Sequence, residues 1–318
     1  MKPHKQMLAW AEEYLAYRRK LGFKLAVEGG QILNFALYAD SAGHEGPLTT
    51  DLALDWATLP EHGSRLYHAR RLEVVRGFAK YLAIFESGTQ VPGNRLLGPA
   101  HRRTQPHIYS EAEIDRLLRA ARSLAPIDGL RPRTYSTLIG LIASTGLRTK
   151  EVLNLSLKDV NLNEGIITIR ETKFNKTRLV PLDKTVVHAL REYADFREAY
   201  IPIPRSANFF LGEYGRRLGS NALHWTFRRL CTACALHSIP RGRNPRLYDL
   251  RHTFCTRRLL LWHQQGIDVE HALLALSTYV GHVKVTDTYW YFSGVPELFA
   301  LISAKFETYA SKFKGDGV

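Results

Sequence analysis

The sequence predicts a mainly α-helical protein of two domains, with a small β-sheet in the second domain. Three observations carry this prediction. Apolar residues recur at helical spacing through most of the 318-residue chain. The stretch 88–108 interrupts that pattern with three glycines and three prolines and has no periodicity of its own. At 166–182 the apolar period changes to two, which is typical of short strands.

Residues 1–87 are predicted to form an N-terminal helical bundle. The first helix has Leu8, Ala11 and Leu15 near helical spacing and stops at Gly22. The fourth is amphipathic, with basic residues on its wet face and an apolar stripe predicted at Leu66, Val74, Phe78 and Leu82. The four predicted helices cover 7–22, 27–43, 48–59 and 64–87.

A linker at 88–108 is predicted to separate this bundle from a second domain at 109–295, with a tail helix at 296–318. Ser110 and Glu113 form a capping-box pattern at the first helix of the second domain. Asp183 is placed to cap the helix that follows the strands. Helices are predicted at 113–124, 134–146, from 151, at 184–200 and throughout the chain beyond 204. The two strands, 166–170 and 178–182, flank a polar turn.

The charge of the chain indicates a polyanionic partner. The 44 Lys and Arg residues exceed the 30 Asp and Glu residues by 14, and the pI is near 9.7. Phosphate contacts release counterions, which gives a basic protein affinity for nucleic acid. The alternative is a protein that is merely basic, but the arginines cluster, and their planar fork suits phosphate oxygens. The candidate DNA-binding residues are Arg70, Arg71, Arg102, Arg103, Arg241, Arg243 and Arg246.

Other classes are disfavoured. No apolar run approaches the ~18 residues needed to cross a bilayer, and the start lacks a signal-peptide pattern, so a cytoplasmic protein without a membrane partner is expected. No P-loop, dinucleotide motif or carboxylate cluster for a metal-dependent nuclease is present. Cys231 and Cys234, with His237, lack a fourth zinc ligand in what reads as a buried helix. Neither a metal nor a cofactor is expected.

Two early residues of the second domain suit phosphate chemistry. Arg148 follows Thr145-Gly-Leu at a helix junction, where the alternative is a structural ion pair with Glu151 three positions on. Lys173 lies in the polar turn between the strands. It is either a solvated lysine or a mobile cation that reaches into a cleft.

Four later residues complete the candidate set. Tyr248 and Arg251 are three positions apart on one predicted helix and so lie on one face, whereas the adjacent His252 faces elsewhere and is interpreted as a histidine that packs in the core or supports the residues of the site. His282 and Tyr291 are nine residues apart, which in a continuous helix puts them on opposite sides. A shared site therefore requires a break between them. Taken alone, a tyrosine between two aromatic neighbours is more often a core residue.

These positions together resemble the tyrosine recombinase (phage-integrase) family over roughly 109–295. Thr145-Gly-Leu-Arg148 resembles its first arginine box, and Thr172-Lys173 with the following Arg178-Leu-Val-Pro its lysine hairpin. Tyr248-Asp-Leu-Arg251 resembles the second arginine box, and Gly-His282 with Thr-Tyr-Trp-Tyr291 the final box. Residues 1–87 match only in kind, because the DNA-clamping domain of the family is also a small basic bundle. A basic linker between two basic domains suits a clamp that closes around a duplex.

The resemblance implies a site-specific DNA recombinase that cuts and rejoins strands through a 3′-phosphotyrosyl intermediate, in integration, excision or transposition of a mobile element. Tyr291 would attack the phosphorus. Arg148 and Arg251 would hold the non-bridging oxygens, and Lys173 would protonate the leaving 5′-oxygen. Implied partners are double-stranded DNA, three further copies of the chain in a tetramer on synapsed DNA, and other recombinases. The tail at 296–318 would be exchanged between subunits.

Two positions leave alternatives open. The family most often has histidine where this chain has Tyr248, and a phenol is a weak proton acceptor at neutral pH. His282 is therefore expected to accept the nucleophile's proton or to bond the phosphate, while Glu151 orients its neighbours. Tyr289 repeats the local spacing of Tyr291 and is a rival nucleophile, although the nine-residue step from His282 favours Tyr291. Two other functions remain: a type IB topoisomerase, and a non-catalytic DNA-binding accessory of the same fold.

Overall fold

The computed structural model describes residues 6–101, 105–170, 177–236 and 244–282, without the side chains of 269–271. The chain divides into two compact units, Met1–Thr104 and Gln105–Val318. Across the described ranges there are eleven α-helices and one three-stranded sheet, so the predicted fold class, mainly α with a small sheet, is confirmed. None of the helices in these ranges is long and apolar enough to cross a membrane.

The first unit is the predicted bundle. Its helices are α1 (Met7–Lys20), α2 (Glu28–Ser41), α3 (Thr50–Thr58) and α4 (Arg65–Phe85). Thr49 and Ser64 cap α3 and α4, since each side-chain oxygen accepts a backbone N–H of the first turn. The rings of Phe35, Trp56 and Phe78 meet at the centre of the bundle.

The apolar stripe predicted for α4 is partly wrong. Leu66 and Val74 are only half-buried. The buried face is instead formed by Ala69, Leu72, Val75, Phe78, Ala79 and Leu82. The buried face differs from the predicted stripe because α4 packs against α1, α2 and α3 together. The two alanines on this face let the neighbouring helices approach α4 closely.

Most of the predicted linker packs on the first unit. The backbone N–H of Gln90 donates to Leu48 O at 2.8 Å, and the Gln90 side chain accepts from the N–H of Thr50 at 2.9 Å. Arg70 Nε donates to Ala100 O at 2.9 Å. These bonds tie 88–101 to the bundle.

The second unit surrounds one almost fully buried helix, α6. Its helices are α5 (Glu111–Arg122), α6 (Leu130–Thr145), α7 (Thr149–Asn154), α8 (Lys184–Tyr200), α9 (Ser220–Ala233), α10 (Asp249–Gln264) and α11 (Val269–Val280). The capping box of Ser110 and Glu113 is confirmed, as is the Asp183 cap of α8. α6 contacts α5, α7, α8 and α10, and so it is the element on which the others assemble.

The sheet is antiparallel, with strands β1 (Val160–Asn161), β2 (Ile166–Ile169) and β3 (Arg178–Pro181) in that order. β2 and β3 were predicted; β1 was not, because two residues show no period. Ile169 pairs with Arg178 and Ile167 with Val180. Since side chains alternate along a strand, Arg178 lies on the same face as the buried Val180.

The prediction that the chain is helical throughout beyond 204 is wrong. Between α8 and α9 the chain is irregular, with isolated bridges that pair Ser156 with Asn208 and Leu211 with Arg217. Phe209 and Phe210 are buried there, and Phe209 N–H donates to Leu155 O at 2.7 Å. The reason is local, because prolines at 202 and 204 and glycines at 212, 215 and 219 break the helical pattern.

Candidate active site

The first arginine box is built on a sharp turn at the end of α6. Gly146 ends the helix in the left-handed region, at φ 64°. A Cβ at this position would lie 2.5 Å from Cδ1 of Phe254, so both backbone and space require glycine. The turn places Arg148 at the N-cap of α7 and directs Gly146 O to Nη1 of Arg251, at 2.7 Å. Local chain geometry thus joins the two arginine boxes.

The final box begins at the end of α11. Gly281, at φ 70°, closes the helix, and the N–H groups of Gly281 and His282 donate to Thr278 O and Ser277 O, at 3.1 and 2.9 Å. This pair of bonds is the Schellman arrangement. A helix end leaves its last carbonyls without helical donors, so those at 279–281 need donors from elsewhere in the fold.

Three arginines supply these donors. They come from β3, from the N-cap of α7 and from α10, and each takes one of three consecutive carbonyls. The bonds run from Arg178 Nε to Tyr279 O at 2.9 Å, from Arg251 Nη2 to Val280 O at 2.7 Å and from Arg148 Nη2 to Gly281 O at 2.7 Å. Positive groups at a helix C-terminus also offset the helix dipole. The arginines therefore fix the backbone immediately before His282.

Glu151 joins two of these arginines. Its carboxylate accepts Nη1 of Arg148 at 2.8 Å and both Nη atoms of Arg178, at 3.1 and 2.8 Å. It also accepts the backbone N–H of Arg148 at 2.9 Å. Burial raises the pKa of Glu151, but the hydrogen bonds and charges of Arg178 and Arg148 outweigh it and leave the pKa below its ordinary value. Glu151 is therefore an ionised carboxylate that binds two of the three arginines.

The two arginines predicted to hold phosphate differ in exposure. The Arg148 side chain is 32% exposed, whereas Arg251 is fully buried with its Nη atoms on two carbonyls. Arg148 is thus placed to meet a ligand directly. The charge of Arg251 lies in the interior, where the low dielectric strengthens its electrostatic interactions.

Tyr248 stands at the solvent edge of the second arginine box. It is 39% exposed, and its ring packs edge-on against His252, with centroids 5.2 Å apart. His252 is buried. Burial lowers the pKa of His252 to about 4, even though Asp249 acts in the opposite direction. The imidazole is therefore neutral at pH 7.

The buried His252 predicts a pH-dependent stability. Its folded pKa of about 4 lies below the ordinary 6.5, so the unfolded chain binds more protons in between. Stability is then lost as pH falls from 6.5 towards 4, by about 2 kcal/mol from this group between pH 7 and 5. Urea unfolding of the protein and of His252→Phe at both pH values measures the difference. The exposed His188→Gln is the control, and a slope unaffected by His252→Phe would contradict the prediction.

Several predicted residues lie outside the described ranges. These are Lys173, Tyr291, the rival Tyr289, Arg102, Arg103, Arg241, Arg243 and the tail 296–318. Their assigned roles stay predictions.

The remaining candidate DNA-binding arginines make contacts within the chain. The Arg71 guanidinium lies 3.6 Å from the centre of the Trp56 ring and donates to Trp56 O. Arg246 forms a double hydrogen bond with Asp249, at 2.7 and 3.3 Å. Arg70 is exposed and bonds Ala100 O. Of the three, Arg70 is the most accessible to a ligand.

Arg178 belongs to the lysine-hairpin motif, but the sequence does not predict it as a site residue. The one signal in the sequence is its position two residues before the apolar Val180. Residues two apart in a strand lie on the same face, so Arg178 is on the buried face of β3. A charged residue on the buried face of a strand requires partners. Those partners lie 27 and 101 residues away, which no local pattern reveals.

The described residues do not contain a cluster of three His, Cys, Asp or Glu side chains placed to hold a metal ion. Cys231 is buried in α9, and burial raises its pKa to about 12. Since zinc binds the thiolate, this environment disfavours a metal site at the cysteine pair.

Comparison with known proteins gives a consistent picture. The model of the phage integrase family matches residues 108–294. A Sinorhizobium fredii protein assigned as an integrase/recombinase, y4rB, is 39% identical over 291 residues, which are 90% of this chain and 92% of that protein. Tyrosine recombinase XerD of Staphylococcus saprophyticus is 29% identical over 224 residues, 70% of each chain.

The fold is similar to solved structures as well. The Tn1549 transposon integrase in complex with circular intermediate DNA superposes with a TM-score of 0.67 at 17% identity, covering 96% of this chain and 99% of that one. The mainly helical fold with its small sheet is therefore shared with these structures. The chain therefore belongs to the phage integrase family, the tyrosine recombinases that cut and rejoin DNA strands by means of a tyrosine.

Proposed function

We propose that this recombinase joins specific DNA sites through a 3′-phosphotyrosyl link made by Tyr291, in integration, excision or transposition of a mobile element. The observation that carries the proposal is the meeting of both arginine boxes at the end of α11. Arg148 and Arg251 bind the adjacent carbonyls of Gly281 and Val280, directly before His282.

The proposed reaction needs no external energy source. The Tyr291 oxygen attacks the phosphorus, the bond from phosphorus to the 5′-oxygen breaks, and Lys173 gives that oxygen a proton. Bond energy is kept in the tyrosyl ester, so the 5′-hydroxyl of another strand reverses the step and rejoins the DNA. Arg148 holds a non-bridging oxygen, and Arg251 adds its buried charge against the negative charge of the transition state.

His282 is the proposed acceptor of the Tyr291 proton. The structure supports this choice in two ways. The backbone of His282 is held by its bond to Ser277 O, directly after the carbonyls that the arginines hold. Tyr248, the alternative, is a phenol at the solvent edge whose ring packs on His252, and a phenol is a weak acceptor at pH 7.

Double-stranded DNA is the proposed partner. The net charge of +14 supports sequence-independent phosphate contacts. The Tn1549 integrase was solved with circular intermediate DNA, and lambda integrase as a dimer on a core site. We extend this to a tetramer on two synapsed sites that exchanges the tail 296–318, with other recombinases as further partners and the cytoplasm as the place of action.

A suicide substrate tests the proposal. Nicked duplexes drawn from the DNA that flanks the gene lose a short 5′-hydroxyl strand after cleavage, so the adduct persists. We expect a denaturation-resistant adduct on a 3′-phosphate, carried by the peptide that contains Tyr291, and strand exchange between two sites on a plasmid. Relaxation of supercoils without exchange favours the topoisomerase alternative. DNA binding without any adduct favours the non-catalytic accessory.

A further inference from the structure

We propose that Arg178 is a positioning residue for DNA cleavage: it holds Glu151 against Arg148 and the end of α11 against the sheet, and thereby places His282. The inference rests on the proposed function. It concerns a residue with no contact to DNA in the proposed reaction.

Arg178 is a junction of three elements. It is the first residue of β3, its side chain is only 12% exposed, and all three of its guanidinium nitrogens are used. Both Nη atoms bind the Glu151 carboxylate of α7, and Nε binds Tyr279 O of α11. The sheet, α7 and α11 therefore meet at this one side chain.

Each group held by Arg178 is next to a residue of the proposed chemistry. Glu151 also holds Nη1 of Arg148, and Tyr279 lies three residues before His282. Arg178 thus links the two positions that are proposed to act on the phosphate and on the proton of the nucleophile.

The arrangement is specific for arginine. A lysine ammonium is a single point charge and cannot bind a carboxylate with two nitrogens while a third binds a carbonyl. The surroundings are fitted to the guanidinium, because a Cβ on Gly281 would lie 2.8 Å from Nη1 of Arg178. Arg178 and Gly281 therefore depend on each other.

Two variants and one control test the proposal. Arg178→Gln removes the charge and the fork, and Arg178→Lys keeps the charge alone. Arg191→Gln is the matched control, since Arg191 is an exposed arginine that binds Leu162 O, next to the β1 strand of the same sheet. The single-turnover rate of adduct formation at saturating DNA, the Kd for DNA, and the unfolding midpoint are measured for each.

We expect Arg178→Gln to lower the cleavage rate about 100-fold at pH 7, since misplacement by about 1 Å has that effect. Its Kd stays within about twofold, because binding the duplex does not need the positioned site. The cleavage rate of Arg178→Lys is expected between those of Arg178→Gln and the unaltered protein. Arg191→Gln is expected to match the unaltered protein in rate and Kd. The rate of Arg178→Gln also rises more steeply above pH 7, because a displaced acceptor leaves ionisation of the tyrosine to the solvent.

A rate unchanged in Arg178→Gln overturns the inference, as does a loss of DNA affinity equal to the loss of rate. A pH profile parallel to that of the unaltered protein also overturns it. If Arg178→Gln does not fold, Arg178→Lys is judged by the same criteria. If the unaltered protein forms no adduct, the proposed function itself is wrong. If the unaltered protein forms the adduct and the Arg178 variants form it at the same rate, only this inference is wrong.

Discussion

Tyr291→Phe is expected to abolish covalent capture on a nicked suicide substrate and to leave DNA affinity unchanged. Phenylalanine keeps the ring but lacks the oxygen that bonds to phosphorus, so no ester forms. The phosphate-binding arginines are untouched, and binding to the duplex persists. Denaturing electrophoresis of labelled DNA measures the adduct, and a mobility shift measures the affinity.

Tyr289→Phe is the matched control for this prediction. It removes a hydroxyl two residues away in the same sequence context and is expected to keep capture at the level of the unaltered protein. The reverse pattern, with capture lost in Tyr289→Phe and kept in Tyr291→Phe, transfers the role of nucleophile to Tyr289.

Arg251→Lys is expected to lower the cleavage rate by about 100-fold or more and to destabilise the protein. The buried guanidinium spans Gly146 O and Val280 O, and one ammonium cannot replace a fork that binds two carbonyls. Loss of one charge-assisted bond costs about 1.5–3 kcal/mol, and loss of one preorganised donor costs about 100-fold in rate. Urea unfolding and single-turnover cleavage measure the two effects.

Arg257→Lys is the control on the same helix. Arg257 also binds a carbonyl, Tyr109 O at 2.8 Å, but with one nitrogen, so a lysine can keep the bond. We expect near-normal stability and cleavage for this variant. Equal losses in both variants would mean that any arginine of α10 matters alike, which contradicts a specific role for Arg251.

Local patterns predicted most of the elements. Period and caps predicted α1 to α8 within a few residues, because capping and amphipathic spacing are short-range properties. The segment between α8 and α9 is not helical, because its glycines at 212, 215 and 219 interrupt the apolar pattern although Phe209 and Phe210 are buried. Burial of this segment depends on packing against Leu155, far away in the chain.

The site was predictable as a set of residue types but not as an arrangement. The burial of Arg251 depends on carbonyls 105 and 29 residues distant, and the role of Arg178 on a carboxylate across the fold. These partners come close to the two arginines only after tertiary folding. The sequence alone therefore does not reveal that Arg251 is buried and Arg178 largely buried.

Arg148, Arg178 and Arg251 donate to backbone carbonyl oxygens at the end of α11, and every amino acid has such an oxygen. These bonds therefore do not depend on the side chains of Tyr279 and Val280, which are instead held by packing, since Val280 is buried and Tyr279 stacks on Phe254. Gly146 and Gly281 cannot be replaced, since a methyl group at either would strike Phe254 or Arg178. An engineer who randomises this region to retarget the enzyme should hold the two glycines constant. His282, which follows Gly281, is kept as well, because it is the proposed acceptor of the Tyr291 proton.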